Sequence, residues 1–528
     1  MLRSEAQIKN IPLQIVTSTK FGRYDKISRE EVFNFIQSDG FMVDFAGFKN
    51  VDALNPNGLG RDIYSSSRGN IMVEVISDLV YVTAPGITSE FIGSLATSSG
   101  DVFMSENNHG QIVITDTVNM YVYNYTAGGF VTILGADLGF SPGYVTFQDS
   151  RIIVAALGTN TWRLSNLIAI ADASNFPNDA QHVGELQTKP DLVVGALRFP
   201  GAGNLLFVFG KTVIEPWNDI GAAIFPYTRL DSYNVDYGCL SANTIAENEN
   251  IVVWLAANEQ SGPAIMYSTG TDTKKISTDG IDFKLSQLTN PQDSYGMLFR
   301  QDGHQIYMIT FKTDNLSYIY DFNTEKFFTV CDENMNHHPA KRVVFFNNKY
   351  YFVSFNDGNL YEFGTQFTSF QYAADNIQQM PRIIIPGPMR LPSSRWFIGD
   401  NLTFIIENGQ PNNVEEIIFQ NTPFEGNEIE TQDQLFVITT QDGHPICMQH
   451  NFNTSSIEVA TEVIDLSISR DGGVTFGSAW RKNMNPTGIR KSRMIFQRLG
   501  ILNDLSFMLR FHGFGRYVVG SGLISIHQ

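Results

Sequence analysis

Apolar residues in this chain come in short runs, some alternating with polar positions and some continuous, cut about every ten residues by turns rich in Gly, Asp and Asn. Ile71 to Val75, Ile112 to Thr115, Met120 to Tyr123, Ile152 to Ala156, Leu205 to Phe209, Ile251 to Leu255 and Ile306 to Phe311 have the length of strands and are short for helices. Asp-Gly steps at Asp39, Asp279, Asp302, Asp357, Asp442 and Asp471 supply the glycine that a tight hairpin needs, so several are expected at hairpin tips. Residues 305–328 read strand, turn, strand, polar turn and aromatic ending, and residues 342–363 repeat that order. Such meanders are spaced like successive strands of one propeller blade. Their irregular period separates them from a WD40-type repeat, and a series of β-sandwiches would give a similar pattern. Ser28 to Glu31 fits a capping box ahead of a helix, while the alternation of Val32, Asn34 and Ile36 fits a strand equally well. The fold class expected is all-β, a β-propeller-like body with an additional C-terminal β domain.

A composition break at residues 383–392, IIIPGPMRLP, carries three prolines in ten positions and marks a boundary or an edge connection. The main domain is expected to end between Gly364 and Ile383. The division that follows is an N-terminal arm with the first strands at 1–59, a propeller-like domain at 60–370, and a β-rich domain at 371–528 with strands available to close the propeller. A length of 528 residues suits either three or four ordinary domains or one large β architecture.

Composition narrows the function. At 43% hydrophobic, 12% aromatic and only 17% charged, the chain is neither a disordered nor a coiled-coil sequence. Its formal net charge of -18 opposes any role resting on a generally basic DNA-binding surface. No apolar run is long enough for a membrane helix, and the start MLRSEAQIKN lacks the pattern of a signal peptide, so a soluble, unsecreted chain is expected. Cys239, Cys331 and Cys447 are widely spaced and read as buried or free thiols. From Arg481 onward, eight basic residues (Arg481, Lys482, Arg490, Lys491, Arg493, Arg498, Arg510, Arg516) face one acid, Asp504, a net +7 that leaves -25 on residues 1–480. This basic end either pairs with the acidic body or forms an interface with an acidic partner or with phosphates.

Local motifs point to architecture more than to chemistry. Ser469-Arg470-Asp471-Gly472-Gly473-Val474-Thr475-Phe476 fits the Asp-box pattern, in which the carboxylate closes a hairpin and the aromatic anchors it. Such boxes lie away from the catalytic centres of the sialidase-like propellers in which they are familiar. No carboxylate pair stands out for glycoside hydrolysis among the 54 acids. Cys331, Asp332, Glu333, His337 and His338 cluster within eight residues but lack the second ligand pair of a structural zinc site, which favours a polar loop. P-loop, nucleophile-elbow and zincin motifs are missing from the sequence. The expectation is a large β protein with no enzymatic activity, cofactor or metal, whose aromatic and Asn/Gly-rich loops suit extended protein contacts.

One stretch is more specific than its composition. From Asp149 the chain runs DSRIIVAALGTNTWRLSN, ADASNF, KPDLVVGALRF and then LLFVFGKTVIEPWNDIGAAIFPYTRLDSYNVDYGCLS, with VVWLA and KKISTDGID following. Gly210, Thr212, Glu215, Trp217 and Gly221, then Phe225-Pro226, Gly238-Cys239 and Ser241-Ala242, give an order that resembles the packaged-DNA stabilisation proteins of short-tailed bacteriophages, also called tail nozzle or head-completion proteins. FGRYDKIS at Phe21 to Ser28 and GRDIYSS at Gly60 to Ser66 look like that family's opening, and DGGVTFG at Asp471 to Gly477, with Gly473 in its turn, looks like a terminal pattern shared widely among phage tail proteins. Pro216, inside an apparent strand, and Ala257-Asn258-Glu259, where a glycine turn is usual, depart from it. Pro216 is therefore expected at an edge or bulge.

The resemblance implies a virion protein of a short tail, made in the host cytoplasm, that forms a ring, a hexamer, below the portal and adaptor proteins. Such a ring retains packaged DNA, touches it transiently in the lumen, and carries needle, spike or fibre proteins. Trp217, Trp254 and Phe225 are expected in the core and Gly210, Gly221 and Gly238 in turns, whereas Glu215 either bonds across strands or lines a channel. Arg481, Lys482, Arg490, Lys491, Arg493 and Arg498 are the candidate assembly interface. A glycan-binding or glycan-cleaving propeller is the alternative, for which Trp162, Trp217, Trp254, Trp396 and Trp480 would have to offer exposed rings beside paired carboxylates, and a non-viral scaffold propeller is a third.

Overall fold

The computed structural model describes residues 9–13, 30–222, 224–231, 233, 235–270, 272–391, 396–409, 462–484 and 491–527. Phe21 to Ser28, Asp442, Cys447 and Arg490 lie outside them. Strands dominate, and the apolar runs read from the sequence are strands in place, among them Ile71–Ile76, Gln111–Thr115, Arg151–Ala156 and His304–Phe311.

Seven four-stranded antiparallel sheets follow one another and form the blades of a propeller. The first six begin with the strands Gly60–Ser66, Phe103–Glu106, Pro142–Gln148, Val193–Arg198, the split pair Gly238–Cys239 and Ala246–Asn248, and Ser294–Gln301. The seventh begins with Ala340–Phe346. Neighbouring blades touch through these first strands, except that Leu205–Gly210 of the fourth blade meets Gly238–Cys239 of the fifth, and Ala340–Phe346 returns to Gly60–Ser66, so the circuit is closed around an axis. The fourth strand of the last blade comes from far away in sequence. Gly47–Ala53 pairs antiparallel with Asn359–Gly364, from Gly364↔Gly47 to Asn359↔Ala53. Closure thus joins the N-terminal segment, rather than the C-terminal region, to the end of the propeller, and no blade edge is left open at the seam.

Ser369–Ala373 and Asn376–Gln379 extend the seventh blade beyond Gly47–Ala53, and the other strands make a two-sheet sandwich fused to the sixth and seventh blades. Glu31–Phe33 extends the sixth blade by parallel pairing at Phe33↔Thr329, and Arg382–Ile385, Asp504–His512, Val463–Ser469 and Trp480–Asn483 continue that sheet outward. Facing it are Phe35–Ser38, Phe41–Asp44, Arg516–His527, Phe397–Gly409 and Lys491–Leu502, with Lys9–Leu13 against Arg516–His527. The two layers interdigitate through Phe404 and Phe507, 5.4 Å apart, and Phe35 and Phe511, 5.6 Å apart. The same apolar cluster runs on through Phe48, Phe352 and Phe363 into the blades, so sandwich and propeller share one core.

A buried ion pair stitches this junction. Arg382 is fully buried, with Nε 3.1 Å from Asp44 Oδ2, Nη2 donating to Thr368 O at 2.6 Å and Nη1 to Gly513 O at 3.1 Å. Its guanidinium also lies 4.9 Å from the centre of the Tyr517 ring, and Tyr517 N donates to Asp44 Oδ2 at 2.9 Å. Burial outweighs the Arg382 charge and pushes the Asp44 carboxyl up to about 7.

Several local readings resolve. Glu31 and its successors form a strand, not a helix start. Asp39-Gly40 and Asp302-Gly303 are hairpin tips with positive φ at both residues. Asp279-Gly280 instead opens the helix Asp279–Ser286, because Thr278 caps it by accepting from Ile281 N. Pro216 sits within Ile214–Asp219, a strand paired on both sides, opposite Phe207, rather than at an edge or bulge. The partner strand Tyr227–Arg229 ends one step before it, at Trp217↔Arg229, and Leu230 N still donates to Pro216 O at 2.9 Å, so the proline serves on that side as an acceptor only. No helix among the described residues is long and apolar enough to cross a membrane.

Candidate assembly surface

Residues 469–476 fold as the Asp-box pattern requires, in the connection between Val463–Ser469 and Trp480–Asn483 of the sandwich. Asp471 accepts from Ser469 Oγ at 2.6 Å, Thr475 Oγ1 at 2.6 Å, Thr475 N at 2.9 Å and Val474 N at 3.1 Å, and Gly472 and Gly473 take φ of 76° and 94°. These donors hold the Asp471 carboxyl well below the usual carboxylate range.

The basic residues that follow divide into two groups. Arg481 grips Asp465 through two bonds of 2.9 and 2.8 Å, and His512 Nε2 approaches the same carboxylate at 3.0 Å. Arg481 is the main cause of the lowered Asp465 pKa. Lys482 donates to Ile495 O and lies 5.4 Å from the Phe496 ring centre, and Arg516 pairs with Asp302 at 3.1 Å. Arg493, Arg498 and Arg510 are exposed and make no ion pair with any described residue. Of Lys491 only the backbone, in Lys491–Leu502, is described.

Most motif residues of the middle blades lie inside the body. Glu215 is fully buried, accepts from Gln187 N at 2.8 Å and Thr188 N at 2.5 Å, and stands 3.9 Å from Arg229 Nη1, so it holds the connection from the third blade to the fourth. Thr212 donates from N and Oγ1 to Asp191 Oδ2 at 2.6 and 3.0 Å, and a Cβ on Gly210 would stand 2.6 Å from that same oxygen. Trp217 meets Trp162 edge to face at 5.6 Å, and Phe225 closes on both rings. Gly221, at φ 61°, and the Pro226 carbonyl, which accepts from Ile220 N at 2.8 Å, shape the exposed turn between these aromatics. At Gly238 a Cβ would collide with the Lys211 and Thr212 backbone, and its carbonyl accepts from Trp254 Nε1 at 3.2 Å.

The cluster from Cys331 to His338 is the connection between the sixth and seventh blades. Cys331 bridges to His337, Asn34 Nδ2 donates to Cys331 Sγ at 3.3 Å, and burial pushes this thiol and that of Cys239 up to about 12. His338 is ringed by Phe45, Phe48 and Phe370, and burial lowers its pKa to about 3. No group of three or more potential metal ligands occurs among the described residues. Trp162, Trp217 and Trp254 are buried, whereas Trp396 and Trp480 are exposed by 67% and 41%.

A family model described as the β-propeller of bacteriophage P22 Gp10 matches residues 29–368. The chain belongs to this phage-stabilisation family. It is accordingly a phage structural protein associated with the virion. The match spans the seven blades, the closing strand and the strands from Glu31 to Asp44, and leaves the rest of the sandwich outside it. No curated protein matches the sequence. Among solved structures, the streptogramin B lyase is 12% identical with a TM-score of 0.41, covering 60% of this chain and 97% of the lyase. U3-55K is 8% identical at 0.37, covering 60% and 98%, and the Neurospora crassa Pan2 WD40 domain is 9% identical at 0.37, covering 61% and 91%. Sequence reasoning did not single out Asp44, Arg382 or Asp191, each of which finds its partners only through long-range pairing.

Proposed function

We propose that this family member is the nozzle or hub subunit of a short phage tail, a hexameric ring below the portal and adaptor that retains packaged DNA and lets it pass on ejection. Needle and spike or fibre proteins attach to the same ring. The observation that carries this reading is the family match across the whole propeller, supported by a sandwich that shares the propeller core and so presents a rigid second surface beside it. In a ring, the contact is heterologous, one face of each subunit against another face of the next, and closure fixes the subunit number. Exposed Arg493, Arg498 and Arg510 offer the basic side of such a contact, and the residues before 481, with their net -25, offer acidic ones.

Six subunits carry about six times the -18 of one chain, and an acidic lumen repels phosphates over a range of about 10 Å in ordinary salt, so DNA slides without sticking. An assembled ring then shows little affinity for duplex DNA at physiological salt, and tight salt-sensitive binding would sink the acidic-lumen part of the reading. The ring itself is tested by light scattering of the protein alone and mixed with adaptor components. A sixfold rise from 59.1 kDa, alone or on the adaptor, supports it, and a monomer that ignores the adaptor refutes it.

A further inference from the structure

The hairpin of Phe35–Ser38 and Phe41–Asp44 turns through Asp39 and Gly40, at φ 49° and 83°, and sets Ser38 against the sixth blade. There Ser38 Oγ lies 3.0 Å from His304 Nε2, and His304 Nδ1 lies 3.0 Å from Asp321 Oδ2. Asp321 is fully buried and also accepts from Thr324 Oγ1 at 2.6 Å and Asn323 N at 3.0 Å. A carboxylate ringed by donors takes the imidazole proton on Nδ1. Nε2 is then the acceptor, and the Ser38 hydroxyl must donate to it. The hairpin ladder ends at Ser38↔Phe41, so the amides of Asp39 and Gly40 fall beyond its last rung, directly after the serine.

We propose that Ser38, His304 and Asp321 form a nucleophilic centre that accepts a short acyl group from a small carboxylic ester. The three occupy the places of nucleophile, base and orienting carboxylate in the order acyl transfer needs. Ser38 Oγ bonds to the ester carbonyl carbon while its proton passes to His304 Nε2. The bond from that carbon to the alcohol oxygen then breaks, and the alcohol leaves with the proton. Water, deprotonated by His304, attacks the acyl-serine, releases the acid and restores the hydroxyl. This goes beyond the ring reading and departs from the expectation of a protein without chemistry. A staple between hairpin and blade would use the same three residues beside the 2.6 Å contact of Lys326 Nζ with Gln37 Oε1, and would leave Ser38 unreactive.

The full chain, treated with a fluorophosphonate probe and mapped by mass spectrometry, is expected to carry the label on Ser38 and to hydrolyse p-nitrophenyl acetate. Ser38→Ala abolishes both, and His304→Gln lowers the labelling rate by at least about 100-fold. Absence of label on Ser38 in the folded parent overturns the proposal, as does labelling that survives His304→Gln.

Discussion

Glu74 lies in the second strand of the first blade, Ile71–Ile76, between Ile63 and Tyr81 on its two neighbours. It is wholly buried, and neither carboxyl oxygen has a hydrogen-bond partner of ordinary geometry. Burial therefore raises its pKa well above 4.5, with nearby Thr83 offsetting only part of the rise. In the unfolded chain the group ionises at its ordinary value, so above that pH the folded protein binds one proton more than the unfolded one. Stability must then fall as pH rises, by about 1.4 kcal/mol per pH unit while the folded carboxyl keeps its proton. Glu74→Gln keeps the shape and removes the proton. Its constant offset is small, since amide and acid alike lack partners, and the slope does not depend on it. The variant should gain on the parent by about 2 kcal/mol between roughly pH 5 and 6.5. Urea unfolding followed by tryptophan fluorescence measures this, because Trp162, Trp217 and Trp254 are buried in the propeller and every other titrating group cancels in the difference. A gap that stays constant with pH would refute the reasoning by showing that Glu74 is ionised inside the fold.

Four further outcomes follow from the geometry. Arg382→Met leaves Asp44 buried without its cation and should cost about 3–5 kcal/mol in urea unfolding above the pH at which Asp44 ionises in the variant, with the cost shrinking as pH falls toward about 7 and levelling off below it, where Asp44 is neutral in both proteins. Glu215→Ala strands the amides of Gln187 and Thr188 and should lose about 3 kcal/mol in thermal denaturation, more than Glu215→Gln, which keeps an acceptor. Gly238→Ala should remove most soluble protein from expression trials, because its Cβ meets backbone that cannot yield, whereas Gly221→Ala, in open space at φ 61°, should cost only about 1 kcal/mol. Charge reversal of Arg493 and Arg498 together should weaken ring or adaptor assembly in light scattering while leaving the subunit's melting temperature unchanged, and unaltered assembly would assign them to a solvated face.

What could be read from the sequence was whatever depends on near neighbours. The Asp box closes within seven residues, from Ser469 to Thr475, and the apolar runs of the blades pair with the next run along the chain, so each was visible as local pattern. The helix Asp279–Ser286 was misread for the opposite reason. Its Asp-Gly step fits a hairpin, and only Thr278 before it, with Ile281 and Leu285 one helical turn apart, carried the competing signal. Closure of the circuit was out of reach, because Gly47–Ala53 reads as an ordinary strand and nothing in it names Asn359–Gly364 as its partner. Ser38 and His304, 266 residues apart, and Asp44 and Arg382 were illegible on the same ground.

The basic C-terminal segment shows how far charge counting reaches. The sequence left two readings open, pairing with the acidic body or docking onto a partner, and the structure divides the residues between them. Arg481 and Arg516 are committed to Asp465 and Asp302, and the second of these pairs ties the sandwich to the hairpin tip between two strands of the sixth blade. Their charge is spent inside the subunit, so reversing them should loosen the sandwich before it touches any neighbour. Arg493, Arg498 and Arg510 have no such partner among the described residues, and two of them lie on the strand Lys491–Leu502, at the edge of its sheet. Among the described residues this strand is an edge whose arginines pair with no acid, and such an edge resists pairing with its own kind, since like charges would meet, and accepts an acidic surface instead. The net +7 of the segment is therefore the wrong quantity for the ring. On the proposed ring reading, the charge available for docking is the smaller part left over after the internal pairs are formed, and it sits in residues beyond those that the family model matches.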